Sequence, residues 1–269
     1  MLKAELGAVQ LEYETHGSGE PVVLIHGSVV ADAHAPLLAE PALAGFRLVR
    51  YRRRGFGGST HTEPPVTIRQ QAEDCVALMR RLGVARAHLV GHSYGGVIAL
   101  QLAHDHPEMV SSLALLEPAL VGIIPNAAFM EEMAPIVKRY ADGDKRGALD
   151  DFLTAVGGPD ARRLLDSLPG IYDMALADTD NFFRVEMPAL GEWVFTCDDA
   201  ARIRQPVLAM LGADSAPVFH EIHALVQSWF PRAQAVTIPG ATHMLQMVTP
   251  RSIAETLASF FGRNPLAAC

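Results

Sequence analysis

The chain has 269 residues, 49% of them hydrophobic and 19% charged, a balance that suits one large globular domain and excludes a disordered segment. Its net charge of −8, with Arg52-Arg53-Arg54 as the only basic run, argues against a nucleic-acid partner. No apolar stretch approaches a membrane span and Met1-Leu2-Lys3-Ala4-Glu5 holds no signal core, so no membrane association is expected and the default location is cytoplasmic.

Residues 3 to 15 alternate loosely, Leu11, Tyr13 and Thr15 against Glu12 and Glu14, which predicts one or two strands of a hairpin. Gly17-Ser18-Gly19 turns the chain into Pro21-Val22-Val23-Leu24-Ile25, a continuous run expected of a strand buried on both faces of a parallel sheet. That strand stops at His26-Gly27-Ser28. The next predicted strand, 46–51, runs into the Gly-rich stretch 52–59. This loop lacks the Gly-Lys-Ser/Thr ending of a phosphate-binding loop and no helix follows it directly, so a nucleotide site is rejected. Thr67 and Gln70 have the spacing of a capping box opening a helix over 68–82, which Gly83 ends.

A strand at 87–90 and a helix at 95–106, closed by Pro107, enclose Gly91-His92-Ser93-Tyr94-Gly95-Gly96, with the pattern Gly-x-Ser-x-Gly. A strand that turns straight into a helix strains its middle residue, and neighbours without side chains let the two elements approach closely. Such a turn lifts the Ser93 hydroxyl at the carboxyl end of the strand, within reach of a base on another loop. The helix amino terminus offers free N–H groups and partial positive charge to a developing oxyanion. A Gly-containing loop after a central strand can aim amides into the same crevice, so the N–H groups of Ser28 and Tyr94 are the expected oxyanion hole.

A further strand at 109–116 ends at Glu117-Pro118. From 119 to 201, Met, Phe, Ala and Leu recur at helical spacing, broken by Pro125, Pro135, Gly157-Gly158-Pro159 and Pro169-Gly170, which predicts a mostly helical insert. Alternation resumes with a strand at 206–211, a helix at 217–230, a strand at 233–238 and a helix at 249–261 with Pro250 in its first turn. The expected class is α/β: a mostly parallel central sheet with helices on both faces, built from 1–118 and 202–269, with 119–201 inserted. Ligands in such sheets bind at the carboxyl ends of strands, where Ser28, Ser93, Glu117, Asp214 and His243 would gather.

Together these residues resemble the α/β-hydrolase fold family over nearly the whole chain. The matching features are His26-Gly27 after the third strand, Arg54-Gly55-Phe56-Gly57-Gly58-Ser59, the Ser93 turn, Pro239-Gly240-x-x-His243 after the last strand, and a chain order of nucleophile, acid and histidine. The insert 119–201 corresponds to that family's helical cap. The resemblance implies an esterase-like or lactonase-like serine hydrolase needing no metal or organic cofactor. Three departures stand out. Arg52 replaces a frequent Asp, Thr242 replaces a frequent Gly before the histidine, and Ser215 occupies the usual slot of the acid after the seventh strand. Asp214 lies one residue short of that slot. Glu117, ending the sixth strand, stands where other members, haloalkane-dehalogenase relatives among them, carry the acid. Both carboxylates stay open as the partner of His243, with proximity to the usual slot favouring Asp214.

On this reading Ser93 attacks an ester, thioester or lactone carbonyl after His243 takes its proton, and the carboxylate orients the imidazole. The insert carries Phe129, Met130, Met133, Met174, Phe182, Phe183, Trp193 and Phe195. Most are expected in its own core and some over Ser93, which points to an apolar small-molecule substrate. His26 and His92 are read as packing or turn-bonding residues beside the site. His104-x-His106 and His220-x-x-His223 have spacings that could share a metal; no further Cys or His ligand stands near either, so both are assigned to solvated helix faces. Glu73-Asp74 and Asp198-Asp199 read as surface charge. Cys75, Cys197 and Cys269 are odd in number and far apart, which implies neither a disulfide framework nor a Cys-rich metal site. Ser93 in place of Asp argues against the carboxylate nucleophile of dehalogenases and epoxide hydrolases. The scaffold leaves a cofactor-free lyase, a perhydrolase, an acyl transferase or a non-catalytic ligand receptor as alternatives, and a homo-oligomer open.

Overall fold

Eight strands form one sheet in the order β1-β2-β4-β3-β5-β6-β7-β8 in a computed structural model that describes residues 1–124 and 126–266. The break read at Pro125 and the thiol of Cys269 lie outside the described residues. The strands are β1 Leu2–Glu5, β2 Gln10–His16, β3 Glu20–Ile25, β4 Phe46–Tyr51, β5 Ala87–His92, β6 Val110–Leu116, β7 Val207–Gly212 and β8 Gln234–Ile238. β1 and β2 form the hairpin and β2 pairs antiparallel with β4; every other pairing is parallel. The fold is therefore the α/β arrangement expected from the strand–helix alternation.

The continuous apolar strands are explained by two cores. Along β3, Val23 and Ile25 face one cluster, and Val22 and Leu24 face the other. Leu89 and Val90 divide in the same way, as do Leu113 and Ala114. A strand with period-2 side chains and helices on both sides has no polar face to offer. The first core takes apolar residues from the helices Ile68–Arg81, Tyr94–Asp105 and Pro217–Trp229; the second takes Ile253, Leu257 and Phe260 from the helix Pro250–Arg263. The stretch 35–43, to which the pattern assigns no element, forms two 3-10 turns that bury Leu37 and Leu43 in this second core. Thr67 and Gln70 make the expected capping box, and Gly83 takes φ +67° just beyond the helix.

Between β6 and β7 the described chain is helical. It runs through Ala127–Ala141, Lys145–Gly157, Ala161–Asp166 and Ile171–Ala177, then a π-helical turn at Phe182–Glu186 that leads into Met187–Glu192. This segment docks on the loop after β4, where the Gly57 amide donates to Asp178 at 2.9 Å. No described helix is long and apolar enough to cross a membrane.

A very close backbone contact lies where β5 meets its helix. A Cβ on Gly95 would overlap the Ile25 carbonyl and come within 2.5 Å of the His26 oxygen. Gly95→Ala is therefore expected to lower the unfolding free energy by about 3 kcal/mol or more. Gly45→Ala, which meets nothing within 4 Å, should change it by less than about 0.5 kcal/mol. Urea denaturation of both variants checks this, and equal effects would refute the steric account.

Candidate active site

Three described non-glycine residues have positive φ: Val29 at 54°, Ser93 at 52° and Glu117 at 46°. Each follows the carboxyl end of one of three adjacent strands, β3, β5 and β6. Such backbone is unfavourable, most of all for β-branched Val29, and persists only where its surroundings impose it. At Ser93 the clamps are visible. Its amide donates to the Leu116 carbonyl at 3.0 Å, and its own carbonyl accepts from Gly96 at 2.9 Å and Ala119 at 3.0 Å.

His243 follows β8, and its Nδ1–H donates to Glu117 Oε2 at 2.6 Å. The other oxygen of Glu117 accepts from the Gly212 amide and from the Ser215 hydroxyl, both at 2.6 Å. Glu117 is fully buried, so these donors are what make a carboxylate tenable there. Phe219 stacks on the His243 ring with centroids 3.8 Å apart, and His92 donates from Nε2 to the His243 carbonyl at 2.8 Å. The residue is thus held on one face of its ring and at its backbone.

Asp214, favoured on sequence position, is not in this arrangement. It is solvent-exposed, and only its amide is engaged, donating to the Ala241 carbonyl at 2.9 Å. The turn after β7 explains this correction. Ser215 donates back to the Gly212 carbonyl at 3.2 Å, which swings the Ser215 side chain inward and leaves Asp214 outside.

Ser28, Ser93 and His243 line a cavity of about 180 Å³. Of the apolar residues singled out in the insert, Phe129, Met130, Met133 and Phe182 line it as well. Phe183 instead stacks on Tyr140 at 4.2 Å, and Trp193 stacks on Phe195 at 4.9 Å. Ser28 lies just past β3. Tyr94 is the first residue of its helix, so its amide has no carbonyl one turn back to bond. Strained serine, buried imidazole–carboxylate pair and apolar cavity together suit nucleophilic attack on a carbonyl carbon.

The basic run is consumed inside the protein. Arg52 pairs with Glu12 and Asp32, and Arg54 pairs with Asp74 at 2.7 Å. Asp74 is consequently buried, a correction to its reading as surface charge. Arg53, also buried, donates to the carbonyls of His26 at 3.0 Å and Gly27 at 2.8 Å, and to Gln71 Oε1 at 2.6 Å. Gln71 in turn donates to the Tyr94 hydroxyl at 2.9 Å. Glu186, from the π-helical turn, completes the group 2.5 Å from Arg53. Burial holds its carboxyl above the ordinary range, opposed by Arg53 and the Ser28 hydroxyl. Sequence reasoning missed Glu186, Arg53 and Gln71. The one available signal was a carboxylate inside the apolar run Val185-Glu186-Met187-Pro188-Ala189-Leu190.

Three histidines near the site are fully buried. Burial holds His26 and His92 well below the usual imidazole value and pushes His34 down to about 4. His26 shows the neutral tautomer directly, donating from Nδ1 to the Gly27 carbonyl at 2.7 Å and accepting the Arg53 amide at Nε2. His223, expected on a solvated face, is buried, and burial lowers it as well. His104 bonds Asp105 and His106 bonds Glu73, each at 2.8 Å.

Residues 20–250 match the family model of the α/β hydrolase fold. The chain is 27% identical over 272 aligned residues to the dihydrolipoyllysine-residue acetyltransferase component of an acetoin-cleaving system from Pseudomonas putida, covering 97% of this chain and 69% of that protein. To the sn-1-specific diacylglycerol lipase of Mus musculus it is 26% identical over 264 residues, covering 89% and 80%. Among solved structures, the enol-lactonase from Burkholderia xenovorans LB400 aligns with a TM-score of 0.80 over 97% of this chain and 100% of that one, at 22% identity.

Two measurements follow from the buried charges. Glu186→Ala leaves Arg53 buried without its counter-charge and should lower the unfolding free energy by about 3 kcal/mol. A loss under about 1 kcal/mol in urea denaturation would mean the pair is dispensable. In acid, His26, His34 and His92 stay neutral when folded but gain protons when unfolded, so stability is full above pH 6.5 and falls towards pH 4. The raised carboxyls of Glu186 and Asp178 act in the opposite sense and make that fall shallower. Denaturation midpoints that stay flat between pH 6.5 and 4.5 would contradict this.

Proposed function

Because the chain belongs to the α/β-hydrolase fold family, we propose that it is a serine hydrolase cleaving the ester, thioester or lactone bond of an apolar small molecule through an acyl-enzyme. The observation that carries this reading is the buried 2.6 Å bond from His243 to Glu117, on a ring that shares its cavity with Ser93. Glu117 fixes the His243 tautomer with Nδ1 protonated, which leaves Nε2 free to take the Ser93 proton. Ser93 Oγ then attacks the carbonyl carbon. The amides of Ser28 and Tyr94 hold the resulting oxyanion, each worth about 3 kcal/mol when well aimed. His243 returns its proton to the leaving group, and water attacks the acyl-enzyme by the same route.

In this reading 1–118 and 202–269 form the hydrolase core and 119–201 is the cap that supplies the apolar roof. The roof residues Phe129, Met133 and Phe182 support an apolar group of about phenyl size in the 180 Å³ cavity. A relative named as a diacylglycerol lipase supports hydrolysis, while one named as an acetyltransferase component keeps transfer of the acyl group as an outcome to be read out.

The test combines a fluorophosphonate probe with turnover of 4-nitrophenyl acetate. Ser93→Ala should lose both labelling and turnover. Glu117→Gln should keep the fold and lower kcat by roughly 10²- to 10⁴-fold, whereas Asp214→Asn should stay within about twofold of wild type. Collapse of Asp214→Asn with Glu117→Gln unharmed would overturn the assignment of the acid. Labelling of Ser93 without hydrolysis would favour acyl transfer to another acceptor.

A further inference from the structure

Two backbone amides beside the nucleophile, the N–H groups of Ser28 and Tyr94, have no acceptor among the described residues. The helix start accounts for Tyr94, since its amide has no carbonyl one turn back. Ser28 lies in a loop, so its amide must be aimed by something else. Its neighbour Val29 is held at φ 54°, a conformation that a β-branched side chain resists, so the course of the loop is imposed from outside.

The imposing groups act on the peptide that carries the amide. The Gly27 carbonyl and the Ser28 N–H belong to one planar trans unit, so fixing the carbonyl fixes the N–H that points the opposite way. That carbonyl accepts two bonds, from Arg53 Nη2 at 2.8 Å and from His26 Nδ1 at 2.7 Å. Arg53 Nε also donates to the His26 carbonyl, one peptide earlier, at 3.0 Å. Gly27 rests against the nucleophile, because a Cβ there would lie 2.9 Å from Ser93 Cβ.

The same guanidinium engages Tyr94. It lies 4.7 Å from the centroid of the Tyr94 ring, and its Nη1 donates to Gln71, which donates to the Tyr94 hydroxyl at 2.9 Å. Glu186 stands against Arg53 with the Ser28 hydroxyl beside it. One buried cation is therefore bonded to the peptide of one free amide and packed on the side chain of the other. A charge-assisted bond to a carbonyl also polarises its peptide, which makes the N–H at the other end a stronger donor.

We infer that Arg53 is the positioning residue of the oxyanion hole: it aims and polarises the Ser28 amide, and Glu186 holds the guanidinium in place from the helical segment between β6 and β7. The inference rests on the serine-hydrolase mechanism proposed above and adds to it a residue that touches neither the substrate nor His243. An oxyanion forms both as the acyl-enzyme is made and as it is broken down. A misaimed amide therefore slows both steps and leaves KM near its wild-type value. A residue needed for the fold alone would lower stability and leave turnover of the folded protein intact.

Two variants of the full chain are compared with wild type. Arg53→Lys keeps the charge and loses the fork that reaches two carbonyls. Arg53→Met with Glu186→Leu removes both charges together, a replacement that commonly preserves the stability of a buried pair. In each, kcat for 4-nitrophenyl acetate should fall roughly 10- to 100-fold, with KM within about threefold. Inhibition by 2,2,2-trifluoroacetophenone, whose adduct with Ser93 carries an oxyanion, should weaken in parallel with kcat. Inhibition by acetophenone, which fills the cavity without that charge, should change less than about threefold. Urea denaturation shows which variants are folded, and if one is not, the other decides the matter. Wild-type kcat in a folded variant overturns the inference, as does acetophenone binding weakened as much as kcat, since the cavity itself would then be deformed. A wild-type protein with no turnover, which binds the two ketones equally, refutes the serine-hydrolase reading and the role of Arg53 with it.

Discussion

The left-handed turn at Ser93 is the constraint on which the surrounding structure depends. A serine at φ 52° cannot be maintained by its own loop, so the neighbouring elements must impose it. They do so only because the strand, the helix and the end of β6 come unusually close. A Cβ on Gly91 would lie 2.6 Å from the Gly95 oxygen, and one on Gly96 would lie 2.7 Å from Pro118. Pro118 resting on Gly96 draws the end of β6 over the turn, and Ala119 donates to the Ser93 carbonyl from the same segment. Glu117, immediately before Pro118, is the next strained residue. Strain at the serine and strain at the carboxylate therefore share one set of contacts, which fixes the spacing of the two groups.

This coupling accounts for what could and could not be seen in the amino-acid sequence. The sheet was legible because buried parallel strands read as apolar runs, and Ser93 was legible because its turn needs bare glycines at fixed spacing. His243 followed from its place after the last strand. The carboxylate beside His243 was legible only as one of two candidates, because Asp214 and Ser215 differ by one residue of a turn whose geometry leaves no mark on hydrophobicity. Ser215 in the slot of an acid reads as a loss; in space it is the hydroxyl that donates to Glu117. A departure at one strand end and a carboxylate at the neighbouring one belong to a single arrangement.

Charged groups were misread for a related reason. Helical periodicity places Asp74 on a face without specifying what lies against that face, and the loop after β4 covers it with Arg54. Glu186 meets Arg53 across about half of the chain, and no local pattern encodes such a meeting. These pairs do more than neutralise charge. Arg53 holds the carbonyls of His26 and Gly27, the residues just before Ser28, while Glu186 and Asp178 come from the helical segment between β6 and β7. The loop after β4 therefore fastens that segment to the strand end that carries Ser28.

The same pairing leaves a simple electrostatic environment at the serine. Arg53 and Glu186 largely cancel one another, and His26, His34 and His92 are uncharged because burial disfavours their cations. Among the described residues, Glu117 is the carboxylate in contact with the His243 ring. On the other side of Ser93 stands the amino terminus of the helix Tyr94–Asp105, with its partial positive charge. The field across the serine thus runs from helix terminus to carboxylate, with little else to oppose it. In the proposed mechanism a proton moving from Ser93 towards His243 would travel towards Glu117, and negative charge left on the substrate oxygen would form towards the helix. Burial of neutral histidines and of a cancelled ion pair, which looks wasteful as a source of stability, is what keeps that direction unopposed.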